Sequence, residues 1–442
     1  MHKKVRTMLL FLSALAFLAI APAIVLYAIG YRPTALDGGA PASVGVLLVD
    51  ATPRRTEVEV NGRPAGRVPE AVPDLRPGPA SVALKKEGYV TWQKTLPIYP
   101  AQATEARNVR LFPESPLKQA LAQNVGIMTL SPNRSLLAFT TKLSQLRVIT
   151  VSGEEVVRIS LSAVPESLLW SPDNTMVLLT MAGRQYRLVS ISGPKPAIQN
   201  LPALAGVQTI HWDPRVPGRL FAQRDTGALV AYSTSTDTRT NIRETVKTFA
   251  VSSRRMYVAT ADNILQVYTL PGQLLQSITL EKPVAHLAVA PGNDVAILFE
   301  DRELAMLGSD DTLVSVAQQV EHIDWSPNGR MLLVQSNHNE LYVYNVSDER
   351  QYHIPLEELH LVVRLSRFIT HPQWYAGGNH LVYQVDDEIV ITEIDTRDHP
   401  VSFVADTTNT GNARVEVGED GDTLFYIIQQ GETNSLDRKS VV

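Results

Sequence analysis

The chain begins with a long apolar run. Residues 8–29 (MLLFLSALAFLAIAPAIVLYAI) contain no charged side chain. A helix needs about 20 apolar residues to cross a hydrocarbon core about 30 Å thick. Three basic residues lie within residues 1–7, whereas only Arg32 follows the run closely. Because positive charge favours the cytoplasmic side, the pattern predicts a single-pass transmembrane helix at residues 8–29, a cytoplasmic tail at residues 1–7 and an extracytoplasmic body.

A cleaved signal peptide is the main alternative for this run, and a buried helix of a soluble protein is a weaker one. Ala21-Pro22-Ala23 resembles a signal-peptidase site. The apolar run continues for six residues beyond Ala23, however, and the apolar region of a signal peptide is normally shorter. We therefore favour a retained anchor in the lipid bilayer of the cell membrane. Both main interpretations export the rest of the chain.

A linker and a small β module follow. Residues 30–43 are rich in Gly, Pro and Ala without periodicity, which predicts a flexible linker. From Val44 onward apolar and polar residues alternate, as in strands with one buried face. Asn61-Gly62 and Pro77-Gly78 are turn sequences between these alternating segments. The pattern predicts four or five strands within residues 44–113, and a small β-sandwich is the most economical fold at this size.

The motifs of residues 44–113 resemble those of the PEGA domain family. The matching segments are Leu48–Pro53, Val58–Gly62, Gly66, Leu75–Gly78 and Lys86–Trp92. One departure is Arg67-Val68-Pro69, where the family usually has Thr-Pro. The resemblance implies a structural or adhesive module of bacterial and archaeal envelope proteins, without catalytic activity. We expect Trp92 and Tyr89 to lie in its core.

Beyond residue 113 the chain repeats a unit of about 40 residues. Five units open with a short strand that ends in a small or acidic residue followed by Pro, at positions 132, 172, 214, 291 and 327. The gap of 77 residues between Pro214 and Pro291 holds one more unit that lacks this Pro, and another such unit lies at residues 364–394. Repeated strands without helices predict β-propeller blades, because sheets that are apolar on both faces bury them by stacking radially.

The number of blades depends on how the ring closes. Seven full units and a partial one at residues 414–442 predict a seven- or eight-bladed propeller over residues 114–442. Residues 108–121 precede the first unit and are a candidate for the strand that the eighth blade lacks. The alternative is a short linking helix at Leu117–Gln123. The Ser-Pro-Asp/Asn-Gly turns resemble those of WD-type and Tol-type propellers, so the predicted fold class is all-β apart from the N-terminal helix.

Composition narrows the range of functions. The absence of Cys excludes disulfides, thiolate metal sites and cysteine nucleophiles. Residues 1–116 hold 14 basic and 9 acidic residues, whereas the remaining residues hold 26 and 36. Because nucleic-acid binding requires clustered positive charge, the acidic body argues against a nucleic-acid partner.

Histidines and tryptophans recur near the marker prolines. His211, His286 and His322 precede the Pro of their unit at odd offsets, which places them on one side of the innermost strands. Neutral imidazoles bind divalent metals, but strands from units three, five and six need not converge, so we expect structural histidines and no metal site. Trp170, Trp212 and Trp325 each lie two residues before a Pro, as expected for packing between blades.

The carboxylates give no readable catalytic pattern. The candidate acids beside the inner strands are Asp173, Asp213 and Asp324, and a cluster of three in one channel mouth would favour a glycosidase or lyase. Two acidic turns, Asp310-Asp311 and Glu419–Asp422, lack calcium-loop spacing and are expected to be solvated. The glycan-acceptor patterns that begin at Asn133 and Asn345 are expected to be incidental.

These features predict a non-enzymatic envelope protein. No nucleophile elbow, phosphate loop, HExxH or EF-hand sequence occurs, so we assign no catalytic, cofactor or metal residues. The expected function is a membrane-anchored extracytoplasmic scaffold that binds an envelope protein or glycan. The alternatives are an exported propeller enzyme and a periplasmic Tol-like assembly component.

Overall fold

The computed structural model describes residues 3–28, 31–32, 42–193, 195–270, 272–308, 310–347, 354–408, 413–430 and 433–441. The chain divides into two compact units. Unit 1 comprises residues 1–115, 397–401 and 442, and unit 2 comprises residues 116–396 and 402–441.

Unit 1 begins with the helix Lys3–Ala28. Apolar side chains such as Phe11, Leu15 and Leu18 are exposed along it. Among the described residues, no helix reaches the combined length and hydropathy that a membrane crossing demands. Residues 30 and 33–41 of the predicted linker lie outside the described residues. The short strands Tyr31–Arg32 and Ala42–Ser43 pair with each other.

The described part of unit 1 also contains a β-sandwich of two sheets. The three-stranded sheet consists, in spatial order, of Glu70–Leu75, Gly45–Thr52 and Ala103–Arg110. The four-stranded sheet consists of Arg63–Arg67, Glu57–Val60, Gly78–Lys85 and Trp92–Ile98. The predicted sandwich is confirmed, but the predicted four or five strands are too few. The missed strands are polar or interrupted by Pro and Gly, and one of them pairs in parallel with a distant segment.

The sandwich core explains the sequence pattern of this module. Trp92 is buried among the apolar residues of both sheets, and Tyr89 packs against them partly buried, as predicted. Asn61 and Gly62 have φ values of 51° and 73°, which the hairpin turn between two strands requires. The Asn61 side-chain oxygen also accepts a hydrogen bond of 2.9 Å from the Ser81 amide. The turn is therefore tied to the neighbouring strand.

In the described residues of unit 2, eight four-stranded antiparallel sheets follow one another, which we number as blades 1 to 8. Blades 1 to 4 consist of Val125–Leu130, Leu136–Thr141, Gln145–Thr150, Glu155–Ser160; Ser167–Trp170, Met176–Met181, Gln185–Ser190, Ala197–Asn200; Val207–Trp212, Arg219–Arg224, Leu229–Ser233, Thr238–Arg243; and Val246–Val251, Arg255–Thr260, Ile264–Thr269, Leu274–Thr279. Blades 5 to 7 consist of Val284–Val289, Val295–Phe299, Leu304–Leu307, Leu313–Ala317; Val320–Trp325, Met331–Ser336, Glu340–Asn345, Leu359–Arg364; and Ile369–Trp374, His380–Val385, Glu388–Glu393, Ser402–Thr407. Within the described part of unit 2, two single turns of 3-10 helix lie at Pro202–Leu204 and Ala376–Gly378.

Blade 8 combines three strands from the C-terminal end of the chain with one strand that precedes the first repeat. Its strands are Val415–Val417, Thr423–Gln430, Thr433–Ser440 and, from before the first repeat, Lys118–Gln123. Lys118–Gln123 pairs antiparallel with Thr433–Ser440. The prediction that a preceding segment supplies the missing strand is confirmed, and the alternative helix at Leu117–Gln123 is wrong. Of the predicted residues 108–121, those up to Arg110 belong to the sandwich instead.

Apolar side chains fill the spaces between blades. Each of seven core clusters combines residues of two successive blades, including one cluster that joins blade 8 to blade 1 through Phe425, Leu436 and Phe139. Between blades 7 and 8, the buried Tyr375 hydroxyl donates a hydrogen bond to the Gly421 carbonyl. Radial stacking therefore buries both faces of the sheets, as the repeat predicted.

The turns after the first strands explain the Ser-Pro-Asx pattern. In blades 1, 2 and 6 the hydroxyl of the Ser before the Pro donates a hydrogen bond to the Asn or Asp side chain two residues later. The same hydroxyl accepts a hydrogen bond from the backbone amide five residues later. In blade 2, Ser171 Oγ lies 2.6 Å from Asp173 Oδ1 and 2.9 Å from the Met176 amide. The marker sequence thus closes the tight connection between the first two strands of these blades.

Candidate functional site

The first strands of the blades line the centre of the propeller. Cα atoms of first strands in neighbouring blades approach within 8 Å, for example between Val284–Val289 and Val320–Trp325. In blade 8 the central strand is Val415–Val417, because Lys118–Gln123 lies at the opposite edge of its sheet. Side chains on the unburied face of these strands therefore point into a central channel.

Two levels of side chains face this channel. The last residue of each first strand packs towards the blades, so residues one and three positions earlier face the lumen. The upper level, three positions earlier, contains Ile127, Ser167, Thr209, Thr248, His286, His322, His371 and Arg414 from blades 1 to 8. The lower level, one position earlier, contains Thr129, Leu169, His211, Ala288, Asp324, Gln373 and Glu416. The corresponding Ala250 of blade 4 is instead buried in the core between blades 4 and 5.

Titratable residues concentrate on one side of the channel. We define the polar arc as six residues of blades 5 to 8, namely His286, His322, His371, Asp324, Gln373 and Glu416. Arg414 of blade 8 and Arg134, in the turn after the first strand of blade 1, flank it. The facing blades 1 to 4 contribute non-titratable residues apart from His211. The lumen is therefore polar on one side and largely neutral on the other.

The histidines of the arc interact electrostatically from blade to blade. Burial, together with the neighbouring His322, lowers the pKa of His286. Burial also lowers the pKa of His322, against the opposing influence of Asp324 and a hydrogen bond to the Pro372 carbonyl. The neighbouring His371 contributes to the lowering of the His322 pKa. Because protonation is disfavoured, His286 and His322 are neutral at pH 7 and supply both hydrogen-bond donors and acceptors.

His211 belongs to the opposite side of the lumen. Burial and the charge of His286 lower its pKa to about 4. Its ring packs edge-on against Phe249, with 4.9 Å between the ring centroids. His211 is therefore neutral at physiological pH and packs against Phe249.

The two carboxyl groups of the arc are shifted in the opposite direction. Burial raises the pKa of Glu416 to about 7, although Arg134 and Arg414 oppose this shift. Burial likewise raises the pKa of Asp324, against the charges of His322 and Arg134. The arc therefore changes its charge near neutral pH, a property common among binding and catalytic sites.

The other predicted acids have structural partners. Burial would raise the pKa of Asp173, but hydrogen bonds from Ser171 and Thr175 lower it below its ordinary value. The Asp213 side chain is fully buried and accepts a hydrogen bond of 2.6 Å from Arg219 Nε. The structure therefore brings Asp324 alone of the three predicted acids into the channel, where it is joined by Glu416 instead.

The remaining candidate motifs also serve local structure. Asp310 Oδ1 accepts hydrogen bonds from the backbone and hydroxyl of Thr312 within its turn. Asn345 is buried and donates a hydrogen bond to the Ile354 carbonyl, which leaves no room for a glycan. Asn133 accepts hydrogen bonds from Ser131 and Ser135. Across the described ranges, no group of three or more His, Asp or Glu residues is arranged to hold a metal ion.

The recurring tryptophans are core residues, as predicted. Trp170 and Trp212 are buried, and Trp325 packs partly buried against the cluster between blades 5 and 6. The Trp170 indole donates a hydrogen bond of 3.2 Å to the Thr129 carbonyl of blade 1. The Trp374 indole of blade 7 likewise donates a hydrogen bond of 2.9 Å to the Asp324 carbonyl of blade 6.

Sequence reasoning missed His371, Gln373, Arg414 and Glu416. Their blades lack the marker Pro, so the positions could not be aligned with His286 and His322. The signal that was available is Trp374, which ends its strand as Trp325 does. His371 lies three residues before Trp374, as His322 lies three residues before Trp325, so aligning the two tryptophans would have aligned the two histidines.

Comparison with known proteins agrees with both folds. Residues 44–114 match the family model described as PEGA domain. The C-terminal WD40 domain of Sif2 is similar in structure, with a TM-score of 0.53 and 11% identity over 74% of this chain and 99% of that one. The β-propeller domain of Myceliophteria thermophila Cps50 (Swd1) has a TM-score of 0.45 and 10% identity over 74% of this chain and 100% of that one. No curated protein matches. The chain thus combines a PEGA segment with a WD40-like propeller.

Proposed function

We propose that this protein is a membrane-anchored, extracytoplasmic scaffold of the cell envelope, whose PEGA module and propeller bind a protein or glycan. The observation that carries the proposal is the joining of a PEGA segment to a closed eight-bladed propeller in one chain. WD40-like propellers offer broad loop-covered faces, and fold alone does not determine what they bind. The partner must therefore be identified by a capture experiment.

Binding is tested by capture with the full chain. Tagged protein, solubilised from its membrane, is incubated with envelope protein and with envelope glycan in separate reactions. We expect one of the two fractions to yield a component retained in stoichiometric amount and released unchanged. Retention of neither, or the appearance of cleaved glycan products detected by mass spectrometry, would contradict the scaffold.

We propose a non-enzymatic role for the channel as well. The carboxyl groups that face the channel are Asp324 of blade 6 and Glu416 of blade 8, rather than three converging carboxylates. Asp173 and Asp213 are already engaged in turns. A glycosidase-type mechanism needs an acid and a second carboxylate at a defined separation. The polar arc accordingly supports binding better than hydrolysis.

The N-terminal helix is the proposed anchor. Its described large apolar side chains, which include Phe11, Leu12, Leu15, Leu18 and Ile24, have exposed fractions of 56–76%. Exposed apolar area of this extent is unfavourable in water and favourable in lipid. Together with the charge asymmetry of the sequence, this supports a cytoplasmic N-terminus and an exported body.

Charged residues in this helix are expected to abolish membrane association. Lys at the centre of a membrane helix costs about 2.5–3.5 kcal/mol per residue, so L15K/L18K should move most of the chain from the membrane fraction to the supernatant. The matched control L15A/L18A should stay in the membrane fraction after a high-salt wash. Equal distribution of both variants would contradict the anchor. Mass spectrometry of the mature N-terminus separates this result from cleavage between Ala23 and Ile24, which the soluble periplasmic alternative requires.

A further inference from the structure

Four consecutive blades place basic or imidazole side chains at one level of the channel. His286, His322 and His371 occupy this upper level in blades 5 to 7, and Arg414 continues it in blade 8. The side chains of all three histidines are accessible to solvent. The surrounding protein atoms nevertheless disfavour the charged forms of His286 and His322. The equivalent positions of blades 1 to 4 are uncharged, so no acidic side chain lies at this level. The upper level is therefore rich in groups that can donate hydrogen bonds to an anion.

The two acidic groups of the arc lie one level below. Glu416 interacts with the charges of both Arg134 and Arg414, and Asp324 interacts with those of Arg134 and His322. When both carboxyls are ionised, they offset the two arginines. When Glu416 is protonated, the offset is reduced and its carboxyl becomes a hydrogen-bond donor.

We propose that the polar arc and its flanking arginines bind a small oxyanion, a carboxylate or a phosphate-like group, and that the affinity rises as the pH falls below neutrality. The guanidinium of Arg414 can donate two parallel hydrogen bonds to the planar or tetrahedral anion, and the imidazoles can donate further hydrogen bonds to it. This proposal does not rest on the scaffold function, because it concerns a ligand inside the channel.

The pH dependence follows from the groups that face the lumen. The pKa of Glu416 is about 7, so this residue loses its negative charge as the pH falls through neutrality. Burial keeps the pKa of His286 and His322 below 6.5, so they gain positive charge only at lower pH. The ionised form of Asp324 opposes anion binding. Both titrations make the arc more positive on acidification, which strengthens anion binding.

Charged groups beside the arc have partners elsewhere. Glu321 is paired with Arg302 and His338, outside the two lumen levels. Lys247 of blade 4 is paired with Glu300. His211, with a pKa of about 4, stays neutral between pH 5.5 and 7.5. These groups therefore leave the direction of the pH effect unchanged.

Isothermal titration of the full chain tests this inference. Sulfate and oxalate are used as separate probes at pH 7.5 and pH 5.5 at constant ionic strength, because neither changes its charge appreciably over this range. We expect one site per chain. If Glu416 must be protonated for binding, its titration alone makes the affinity about fourfold higher at pH 5.5. Tighter binding of sulfate assigns the site to phosphate-like groups, and tighter binding of oxalate assigns it to carboxylates.

Two variants and a control distinguish the site from non-specific binding. R414Q removes a charged hydrogen bond and should weaken binding at least about tenfold. E416Q should bind about fourfold more tightly than the wild type at pH 7.5 and show less pH dependence, a gain that misfolding does not produce. R184Q, at an exposed turn of blade 2, should bind as the wild type does. Absence of saturable binding to both anions, equal affinity of R414Q and R184Q, or unaltered pH dependence in E416Q would overturn the proposal.

Discussion

Replacing Asp406 with Ala is expected to lower the free energy of unfolding of the propeller by about 3–5 kcal/mol, the usual effect of removing one partner from a buried charge cluster. Asp406 lies in the outermost strand of blade 7, and its side chain is 15% exposed. It accepts hydrogen bonds from Lys118 at 2.9 Å and from the Tyr426 hydroxyl, and it is 3.1 Å from Lys439 Nζ. All three partners belong to blade 8, so this carboxylate joins the closing blade to its neighbour.

Urea unfolding at pH 7 measures this effect through the midpoint of the propeller transition. The control is D386A, since Asp386 forms an ion pair of 2.8 Å with Arg367 in which both side chains are at least 50% exposed. Such a pair contributes less than about 1 kcal/mol. Equal small shifts for D406A and D386A would show that the cluster does not hold blade 8 in place.

The loss of unfolding free energy in D406A should depend on pH, because the pKa of Asp406 is shifted in the folded protein. Burial would raise the pKa of Asp406, but hydrogen bonds from Lys118 and Tyr426 and the charge of Lys439 lower it below 3.8. A carboxyl with a lowered pKa stabilises the folded state above its unfolded-state value and loses this contribution as the pH falls. The difference between wild type and D406A should therefore be constant near neutrality and shrink below about pH 4.

Replacing Trp374 with Ala is expected to cost a further large amount, about 3–5 kcal/mol, because it leaves a cavity in a dense core. Trp374 is 2% exposed and packs in the cluster between blades 6 and 7. Its indole also donates a hydrogen bond of 2.9 Å to the Asp324 carbonyl. W374F keeps most of the apolar contact and loses this bond, so it should cost about 1–2 kcal/mol.

The exposed Phe368 provides the matched control for this aromatic substitution. It is 71% exposed and lies just before the first strand of the same blade. F368A should change the free energy of unfolding by no more than about 0.5 kcal/mol. If W374A were as mild as F368A, the inter-blade role of the recurring tryptophans would be refuted.

The repeat could be predicted from the sequence because several blades use the same turn sequence between their first two strands. The marker sequences around Pro132, Pro172 and Pro327 end a strand and close a hydrogen-bonded turn, so their spacing reports the blade period directly. Closure by a strand from before the first repeat was also predictable, since the last unit was one strand short. The same reasoning failed in the sandwich, where Ala103–Arg110 pairs with a distant segment and has no local apolar pattern.

The polar arc was only partly predictable, for a different reason. Its members come from strands far apart in sequence, and the side of each strand that faces the lumen depends on the ring being closed. His286 and His322 were recognised as sharing a strand face, but His371 and Glu416 were not, because no marker Pro aligns their blades. The shifted pKa values of Asp324 and Glu416 arise from burial at the centre of the ring, which local sequence does not report.

The central claim is that the chain closes its propeller by pairing Lys118–Gln123 with Thr433–Ser440. Gln119 lies directly opposite Arg438, and their side chains form a hydrogen bond of 2.7 Å. Since the chain has no Cys, Q119C/R438C introduces two thiols and no competing partners. Positions opposite each other on antiparallel strands lie within the range that a disulfide spans.

Oxidation of folded Q119C/R438C, followed by mass spectrometry of the proteolytic fragments, tests the closure directly. We predict a disulfide between positions 119 and 438 in most molecules. The register control Q119C/K439C should form little disulfide, because a shift of one residue turns the second thiol to the other face of the sheet. Failure of the 119–438 bond to form, or equal yields in both variants, would contradict a ring closed by the two ends of the repeat.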